Sequence, residues 1–146
     1  MDKAAQVTID DFIEKMGLIA QADGIPRIAG KVLAALVIYD EPFSFSQLSE
    51  LLQVSRGSIS TNTRVLVNLG IIERTTKRGE RQDYFKLKES PYVSLMQGIQ
   101  TRTAHTARVI SETKQRLPAE LSGAQQRLTE MQQFYLKLNR TIKSLT

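Results

Sequence analysis

The sequence is most informative first in what it lacks. It contains no cysteine, which excludes disulfide bonds and thiolate chemistry; a reducing compartment is compatible with this but not required. No apolar run approaches the roughly 18 residues that suggest a membrane span, and the best candidate, Val32–Tyr39, has only about eight. The N-terminus begins with Asp2–Lys3 and has no signal-peptide apolar core. We therefore expect a soluble, cytoplasmic protein.

Residues for catalysis or for cofactor binding are also scarce. The one histidine, His105, has no cysteine or acidic residue three or four positions away, whereas a metal site needs several converging ligands. A Gly-rich phosphate loop is missing, since Gly57 and Gly79 stand alone. A single histidine also gives little basis for a Ser-His-acid arrangement. The sequence therefore predicts no enzyme activity, no cofactor and no metal.

Charge is unevenly distributed along the chain. Residues 1–55 carry 4 Lys/Arg and 8 Asp/Glu, whereas residues 56–88 carry 8 and 3, and residues 89–146 carry 8 and 4. Positive charge thus begins abruptly at Arg56. A basic segment of this kind is typical of a phosphate-binding surface, although a solvated basic face is the plain alternative.

Two helices are predicted before the basic segment. Thr8 fits the N-cap of the first, with Asp11 three residues later. Asp23–Gly24 ends that helix, and Pro26 suits the first turn of the next. The second helix, Pro26–Tyr39, is apolar on nearly all sides, which predicts that it lies at the centre of the core.

A helix-turn-helix is predicted next. Ser44 and Gln47 form a capping-box pattern that opens a short amphipathic helix. Gln53–Val54–Ser55 makes a tight connection, Ser55 caps a further helix that starts at Arg56, and Gly70 stops it. One face of this helix carries Ile59, Thr63, Leu66 and Gly70, beside Val65 and Leu69; the opposite face carries Gly57, Ser60, Thr61, Arg64 and Asn68. The second face can enter a major groove, and no acidic residue occurs from Arg56 to Ile72.

A basic β-hairpin follows, formed by Ile71–Thr76 and Asp83–Lys88 around a turn at Gly79. It is predicted to be the wing of a DNA-reading module, although an ordinary hairpin with a charged tip is the alternative. The candidate DNA-contacting residues on the second helix of the motif are Ser55, Arg56, Ser58, Ser60, Thr61 and Arg64. Those on the wing, acting chiefly on phosphate or the minor groove, are Lys77, Arg78 and Arg81.

Two long helices are predicted at the C-terminus. The first starts after Pro91 and ends near Arg116, and Leu117–Pro118 separates it from the second. From about Ala119, apolar residues alternate at spacings of three and four, an a/d seam that favours pairing with another helix. The seam suggests these dimerisation residues, with Phe134 beside them: Leu121, Leu128, Met131, Tyr135, Leu138 and Ile142. Packing against the preceding helix of the same chain is the alternative.

The chain resembles the MarR superfamily of winged helix-turn-helix regulators, closest to its GbsR-type branch. The resemblance covers about residues 8–88 and rests on these motifs: Gly24–Lys31, Phe45–Leu52, Val54–Ser60, Gly79–Arg81 and Tyr84–Phe85. It implies a homodimer that binds a pseudo-palindromic operator on double-stranded DNA, with release by a small-molecule effector in some members. Choline is an effector within the branch, but the matching motifs do not encode an effector site, so none is carried over.

These patterns together predict a mainly α fold with a small β-hairpin wing. Residues 1–90 are expected to form a winged helix-turn-helix DNA-binding domain, and residues 91–146 a region of long dimerisation helices. The expected function is a sequence-specific, homodimeric transcriptional regulator, most simply a repressor. The alternative is a winged-helix protein-interaction module in a coiled-coil assembly, because fold does not fix function.

Overall fold

The computed structural model describes residues 2–146 as two compact units, one ending at Pro91 and the other spanning Tyr92–Thr146. The elements in chain order are α1 (Lys3–Ala22), α2 (Arg27–Ile38), β1 (Phe43–Ser44), α3 (Phe45–Leu52), α4 (Arg56–Leu69), β2 (Ile72–Thr76), β3 (Asp83–Leu87), α5 (Pro91–Arg116) and α6 (Ser122–Leu145). The mainly α, winged helix-turn-helix architecture is therefore confirmed. Among the described residues, no helix is both long and apolar enough to cross a bilayer.

The predicted start of the first helix was wrong. α1 begins at Lys3 because the Asp2 carboxylate caps it and accepts a hydrogen bond from the Ala5 amide at 2.8 Å. Thr8 lies within the helix, where its hydroxyl donates to the Ala4 carbonyl at 3.0 Å. A cap-competent residue inside a helix readily makes this bond to the preceding turn, so its presence did not mark the boundary.

α1 and α2 cross very closely. A Cβ atom at Gly30 would lie 2.5 Å from the Cβ of Ala20 and 2.6 Å from the carbonyl oxygen of Met16, so no larger residue fits without a shift. α2 is buried through most of its length, as its sequence predicted. One charged residue is buried together with the small and apolar residues of α2: Lys31 is only 8% exposed.

Lys31 is buried because it has a partner on α1. Its ammonium donates to the Glu14 carboxylate at 2.6 Å, and Arg27 reaches the other carboxylate oxygen at 2.9 Å. Hydrogen bonds from Lys31 and then Arg27 lower the pKa of Glu14 below its usual value. The cluster satisfies a buried cation and joins the two crossing helices.

The small sheet has the order β1–β3–β2 and is antiparallel throughout. The sequence predicted the β2–β3 hairpin but not β1, which pairs Phe43 with Phe85 and Ser44 with Tyr84. Phe85 is fully buried and meets the Phe45 ring edge-on at 5.0 Å between centroids. Strand β1 thus attaches the β2–β3 hairpin to the start of α3.

The second unit is a pair of helices. Gln125 donates to the Lys114 and Leu117 carbonyls, Lys114 donates to the Gln132 side chain, and Asn139 donates to the Gln100 carbonyl at 2.7 Å. These bonds join successive turns of α6 to progressively earlier turns of α5, so the two helices run antiparallel. Leu121, the first residue of the predicted seam, is the N-cap of α6 and not part of the helix.

Candidate nucleic-acid interface

The helix-turn-helix is built by local capping. The Ser44 hydroxyl accepts from the Gln47 amide while the Gln47 side chain accepts from the Ser44 amide at 2.9 Å, which confirms the predicted capping box. Gln53 ends α3 in the left-handed region, at φ 56°. Two residues later the Ser55 hydroxyl accepts from the Ser58 amide at 3.1 Å and starts α4, as predicted. The tight connection therefore fixes where α4 begins relative to α3.

The inner side of α4 packs into the core of the first unit. Ile59, Thr63 and Leu66 are 0%, 1% and 2% exposed, as the helical spacing predicted. The Thr63 hydroxyl is satisfied by the Ile59 carbonyl at 2.8 Å. Asn62 is also buried, at 7% exposure, and its burial was not foreseen. Its amide donates to the Ser58 carbonyl at 2.8 Å, but within residues 2–146 its carbonyl oxygen Oδ1 has no partner.

The outer side of α4 is polar and open. Arg56, Thr61 and Arg64 are exposed, and Ser58 and Ser60 are half-buried. The Thr61 hydroxyl is engaged with the Gly57 carbonyl at 3.1 Å, so it is not freely oriented. In the part of the chain that the structure describes, Arg56 and Arg64 form no ion pair. Both guanidinium groups are thus available to an anionic partner.

The hairpin separates its cations into two groups. On the strands, Arg74 lies 3.6 Å from Asp83, and Lys86 lies 3.7 Å from Glu73. At the tip, Gly79 has φ 82° and the Glu80 amide donates to the Lys77 carbonyl at 3.0 Å, which closes the turn. The charges of Arg74 and Lys86 are therefore partly neutralised by carboxylates of the hairpin itself.

Arg78 and Arg81, by contrast, are exposed at the tip, and among residues 2–146 neither has a carboxylate partner. Lys77 is also exposed, but its ammonium lies 4.3 Å from the centre of the Tyr84 ring. Tyr84 was not singled out from the sequence as anything more than a strand former. The ring contact depends on the strand register, which the sequence did not specify.

The structure brings the nine candidate DNA-contacting residues into one unit, on the exposed or half-buried surface of α4, its cap and the wing tip. Cations dominate this surface, because α4 has no acidic residue and Glu80 is the one carboxylate between the strands of the wing. Within the described chain, no group of three acidic, histidine or cysteine side chains could hold a metal ion. The surface is suited to binding a polyanion by charge and hydrogen bonding.

The predicted dimerisation residues all lie on α6 or at its cap, in the second unit. Leu128, Tyr135, Leu138 and Ile142 are half-buried, whereas Leu121 and Met131 are exposed by 49% and 46%. The residues bonded to α5 recur every seven positions: Gln125, Gln132 and Asn139. α6 therefore does contact its own α5, and the hydrogen bonds between the two helices lie on one flank of the seam. Met131 and Phe134, the latter 59% exposed, remain on the other flank.

Comparison with known proteins identifies relatives among regulators. The chain is 36% identical over 91 residues to the HTH-type transcriptional regulator MmpR5 of Mycobacterium tuberculosis, which covers 62% of this chain and 55% of MmpR5. It is 31% identical over 85 residues to the HTH-type transcriptional repressor GbsR of Bacillus subtilis, covering 58% and 44%. The chain thus spans about half the length of these curated relatives. They are regulators and not enzymes, as the sequence predicted.

No family model matches the chain. A crystal structure of a transcriptional regulator matches with a TM-score of 0.85 and 27% identity, covering 94% of this chain and 95% of that one. The match extends over nearly all of both chains and thus includes both units. The regulator resemblance noted in the motifs is confirmed by these relatives, which are named HTH-type transcriptional regulators.

Proposed function

We propose that the protein is a sequence-specific DNA-binding transcriptional regulator that acts as a homodimer. One observation carries the proposal: the outer side of α4 is exposed, free of acidic residues and carries Arg56 and Arg64, which form no ion pair among residues 2–146. A helix that only covered a core would have no reason to exclude carboxylates from its solvent side. A surface without carboxylates favours entry into the major groove, because each carboxylate would be repelled by the phosphates on either side.

In this proposal α4 lies in the major groove and its outer side, from the N-terminus to Arg64, meets base edges. Arg64 can form two hydrogen bonds with a guanine, which is the commonest specific contact of arginine with DNA. Ser55, Ser58, Ser60 and Thr61 are short, so they allow the helix backbone to approach the groove closely. Arg56 lies in the first turn, where the helix dipole adds to its attraction for phosphate.

The wing adds contacts outside the major groove. Arg78 and Arg81 extend from the tip without partners in the described chain, so binding phosphate would break no existing ion pair. The strand cations Arg74 and Lys86 would first have to leave Asp83 and Glu73. The two tip arginines are therefore the main wing contacts that we propose, either with phosphate or within the adjacent minor groove.

The dimer is proposed from the second unit. An exposed Met131 and Phe134 beside half-buried seam residues form an apolar strip that α5 does not cover. A second copy of the chain fits this strip, because two identical strips can pair about a two-fold axis. Dimerisation would supply two reading helices for two half-sites about 34 Å apart, the repeat of one DNA turn. The predicted division at residue 90 would then separate DNA binding from dimerisation.

Repression is the proposed outcome of binding, because GbsR, a relative by sequence, is named a repressor. Occupation of an operator by the dimer would act by blocking access to the DNA. A small-molecule effector could release it, but no residue is assigned to such a site. A function on chromosomal DNA agrees with the cytoplasmic location predicted from the sequence.

The test is binding of the purified protein to fragments of its own genome, measured by gel shift at two salt concentrations. We expect one or a few fragments to be retained at the higher salt, with a protected site of two related half-sites. Light scattering should give the mass of a dimer. Equal binding to all fragments would contradict sequence specificity. Failure to bind any fragment at low salt would favour the winged-helix protein-interaction module instead.

A further inference from the structure

Residues at the tip of the wing contact one buried side chain, Tyr84. This residue lies on the central strand β3, opposite Thr75 of β2, and is 4% exposed. Side chains of directly opposed residues in an antiparallel pair point to the same face of the sheet. Lys77 follows Thr75 by two residues and reaches this face, where its ammonium lies 4.3 Å from the ring centre. The contact has the geometry of a cation–π interaction.

The hydroxyl end of the same side chain contacts one more residue of the tip. It accepts a hydrogen bond from the Gln82 amide at 2.9 Å. The Glu80 carboxylate, and then burial, raise the pKa of Tyr84. Tyr84 thus contacts Lys77 and Gln82, the first and the last of the six residues between the strands.

The residues that Tyr84 contacts are neighbours of those that carry the unpaired charge. Lys77 directly precedes Arg78, and Gln82 directly follows Arg81. Arg78 and Arg81 are exposed and have no partner within residues 2–146, so nothing else in the side-chain contacts fixes where they point. Their direction is set by the backbone, and the backbone is tied at the neighbouring positions.

We propose that Tyr84 is the positioning residue of the wing and that Lys77 acts on DNA affinity through Tyr84 instead of by contacting phosphate. This inference rests on the proposed DNA-binding function. Binding of a mobile loop loses conformational entropy that a pre-ordered loop does not lose, so an ordered tip strengthens binding without adding a contact. The proposal also gives the three wing cations different roles. Arg78 and Arg81 bind DNA, and Lys77 orders the tip through its contact with Tyr84.

The salt dependence of binding distinguishes holding from contacting. Each phosphate contact contributes about 0.9 to the slope of log K against log salt. We expect Lys77→Met to weaken operator binding by about two- to fivefold, the range of an exposed cation–π contact. The slope should change by much less than the value of about 0.9 that one phosphate contact contributes. Lys77→Arg, which keeps a cation over the ring, should restore affinity. A slope reduced by one full contact in Lys77→Met would overturn the proposal.

Variants of the ring test the same coupling from the other side. Tyr84→Phe keeps the ring face under Lys77 but loses the hydrogen bond from Gln82, so it should weaken binding less than Tyr84→Leu. In the Tyr84→Leu background, Lys77→Met should have no further effect on affinity. Independent, additive effects would contradict action through Tyr84. If Tyr84→Leu does not fold, as judged by circular dichroism, the salt slope of Lys77→Met and the mobility of the tip decide the question.

A measurement without DNA separates this inference from the proposed function. Backbone ¹⁵N order parameters of residues 77–82 report the nanosecond mobility of the tip. We expect them to fall in Lys77→Met and in Tyr84→Phe, and to remain unchanged in the control Arg78→Gln. Unchanged order in Lys77→Met would overturn the positioning role, whether or not the protein binds DNA. Reduced order in a protein that binds no DNA would overturn only the proposed function.

Discussion

The helices α4 and α6 are both amphipathic, yet the chain covers their apolar sides to very different extents. On α4, Ile59, Thr63 and Leu66 are at most 2% exposed. On α6, all of which the structure describes, no residue is buried, and Met131 and Phe134 are 46% and 59% exposed. The apolar side of α4 is thus completed within one chain, and that of α6 is not.

This difference indicates which side of each helix is left for a partner. α4 has used its apolar side, so its remaining surface is polar and cationic and suits DNA. α6 contacts α5 through bonds at Gln125, Gln132 and Asn139, and Met131 and Phe134 remain exposed beside the half-buried residues of the seam. Its remaining surface is apolar and suits a second protein surface. The sequence shows the helical period of apolar residues in both α4 and α6, but it does not show which surface covers each apolar side.

The largest expected effect comes from charging the open strip of α6. We expect Met131→Glu with Phe134→Glu to convert a dimer into a folded monomer and to abolish tight operator binding. Burial of each of these side chains would contribute roughly 1.5–3 kcal/mol, counted once on each chain, and a buried unpaired carboxylate adds a further cost. Light scattering gives the mass, and circular dichroism checks that helical content is kept.

The matched control places the same charge on the far side of the same helix. Gln126 and Gln133 are exposed and lie seven residues apart, away from the seam. Gln126→Glu with Gln133→Glu should leave both the mass and the operator affinity unchanged. A monomeric wild-type protein at micromolar concentration, or a dimeric Met131/Phe134 variant, would show that this strip is not the interface between copies.

The sequence predicted features that depend on a few neighbouring residues. The capping box at Ser44 and the cap at Ser55 were correct because each cap is completed within three residues. Thr8 was wrong because Asp2 competes for the same role one and a half turns earlier. The general lesson is that a local signal identifies a helix end reliably only when no second candidate lies nearby.

Features that depend on distant pairing were missed. Strand β1 has only two residues and exists because β3 pairs with it. The contact of Lys77 with Tyr84 depends on the register of β2 against β3. The burial of Asn62 depends on how α4 rotates against the core, and a polar residue gives no sign of it in the hydrophobic pattern. The candidate DNA-contacting residues were easier to place, since exposed cations on a capped helix need no tertiary information.

The next largest effect tests the outer side of α4. Arg64→Ala should weaken operator binding by about 1–3 kcal/mol if Arg64 reads a base, and should leave the free energy of unfolding nearly unchanged because the side chain is exposed. The loss should shrink for operators altered at the base it reads. Arg140→Ala, an exposed arginine of α6, is the control. Equal affinity of the Arg64 variant and the wild type would remove Arg64 from the interface.

A smaller effect is expected at the wing. Arg78→Gln with Arg81→Gln should weaken binding to all sequences and reduce the slope of log K against log salt by roughly one to two, about one for each lost phosphate contact. Lys86→Gln is the control, because Lys86 lies beside Glu73 and is partly neutralised. A slope unaffected by the double change would show that the wing does not bind phosphate. A loss confined to certain sequences would indicate minor-groove reading.

The smallest effect sharpens the claim that the inner side of α4 is complete within the chain. Asn62 donates to the Ser58 carbonyl at 2.8 Å, but its Oδ1 has no partner among residues 2–146. Replacing a half-satisfied buried polar group by an apolar group of similar shape is nearly neutral or stabilising. We therefore expect Asn62→Leu to leave the free energy of unfolding unchanged or to raise it by about 1 kcal/mol, as measured in urea, with operator affinity unchanged. Leu66→Ala, on the same side, should lower the free energy of unfolding by about 2–5 kcal/mol.

If Asn62→Leu loses as much stability as Leu66→Ala, the oxygen has a partner in solution and the inner side is not closed by apolar packing. If it loses DNA affinity without stability, Asn62 belongs to the reading surface, and the separation between the two sides of α4 is wrong.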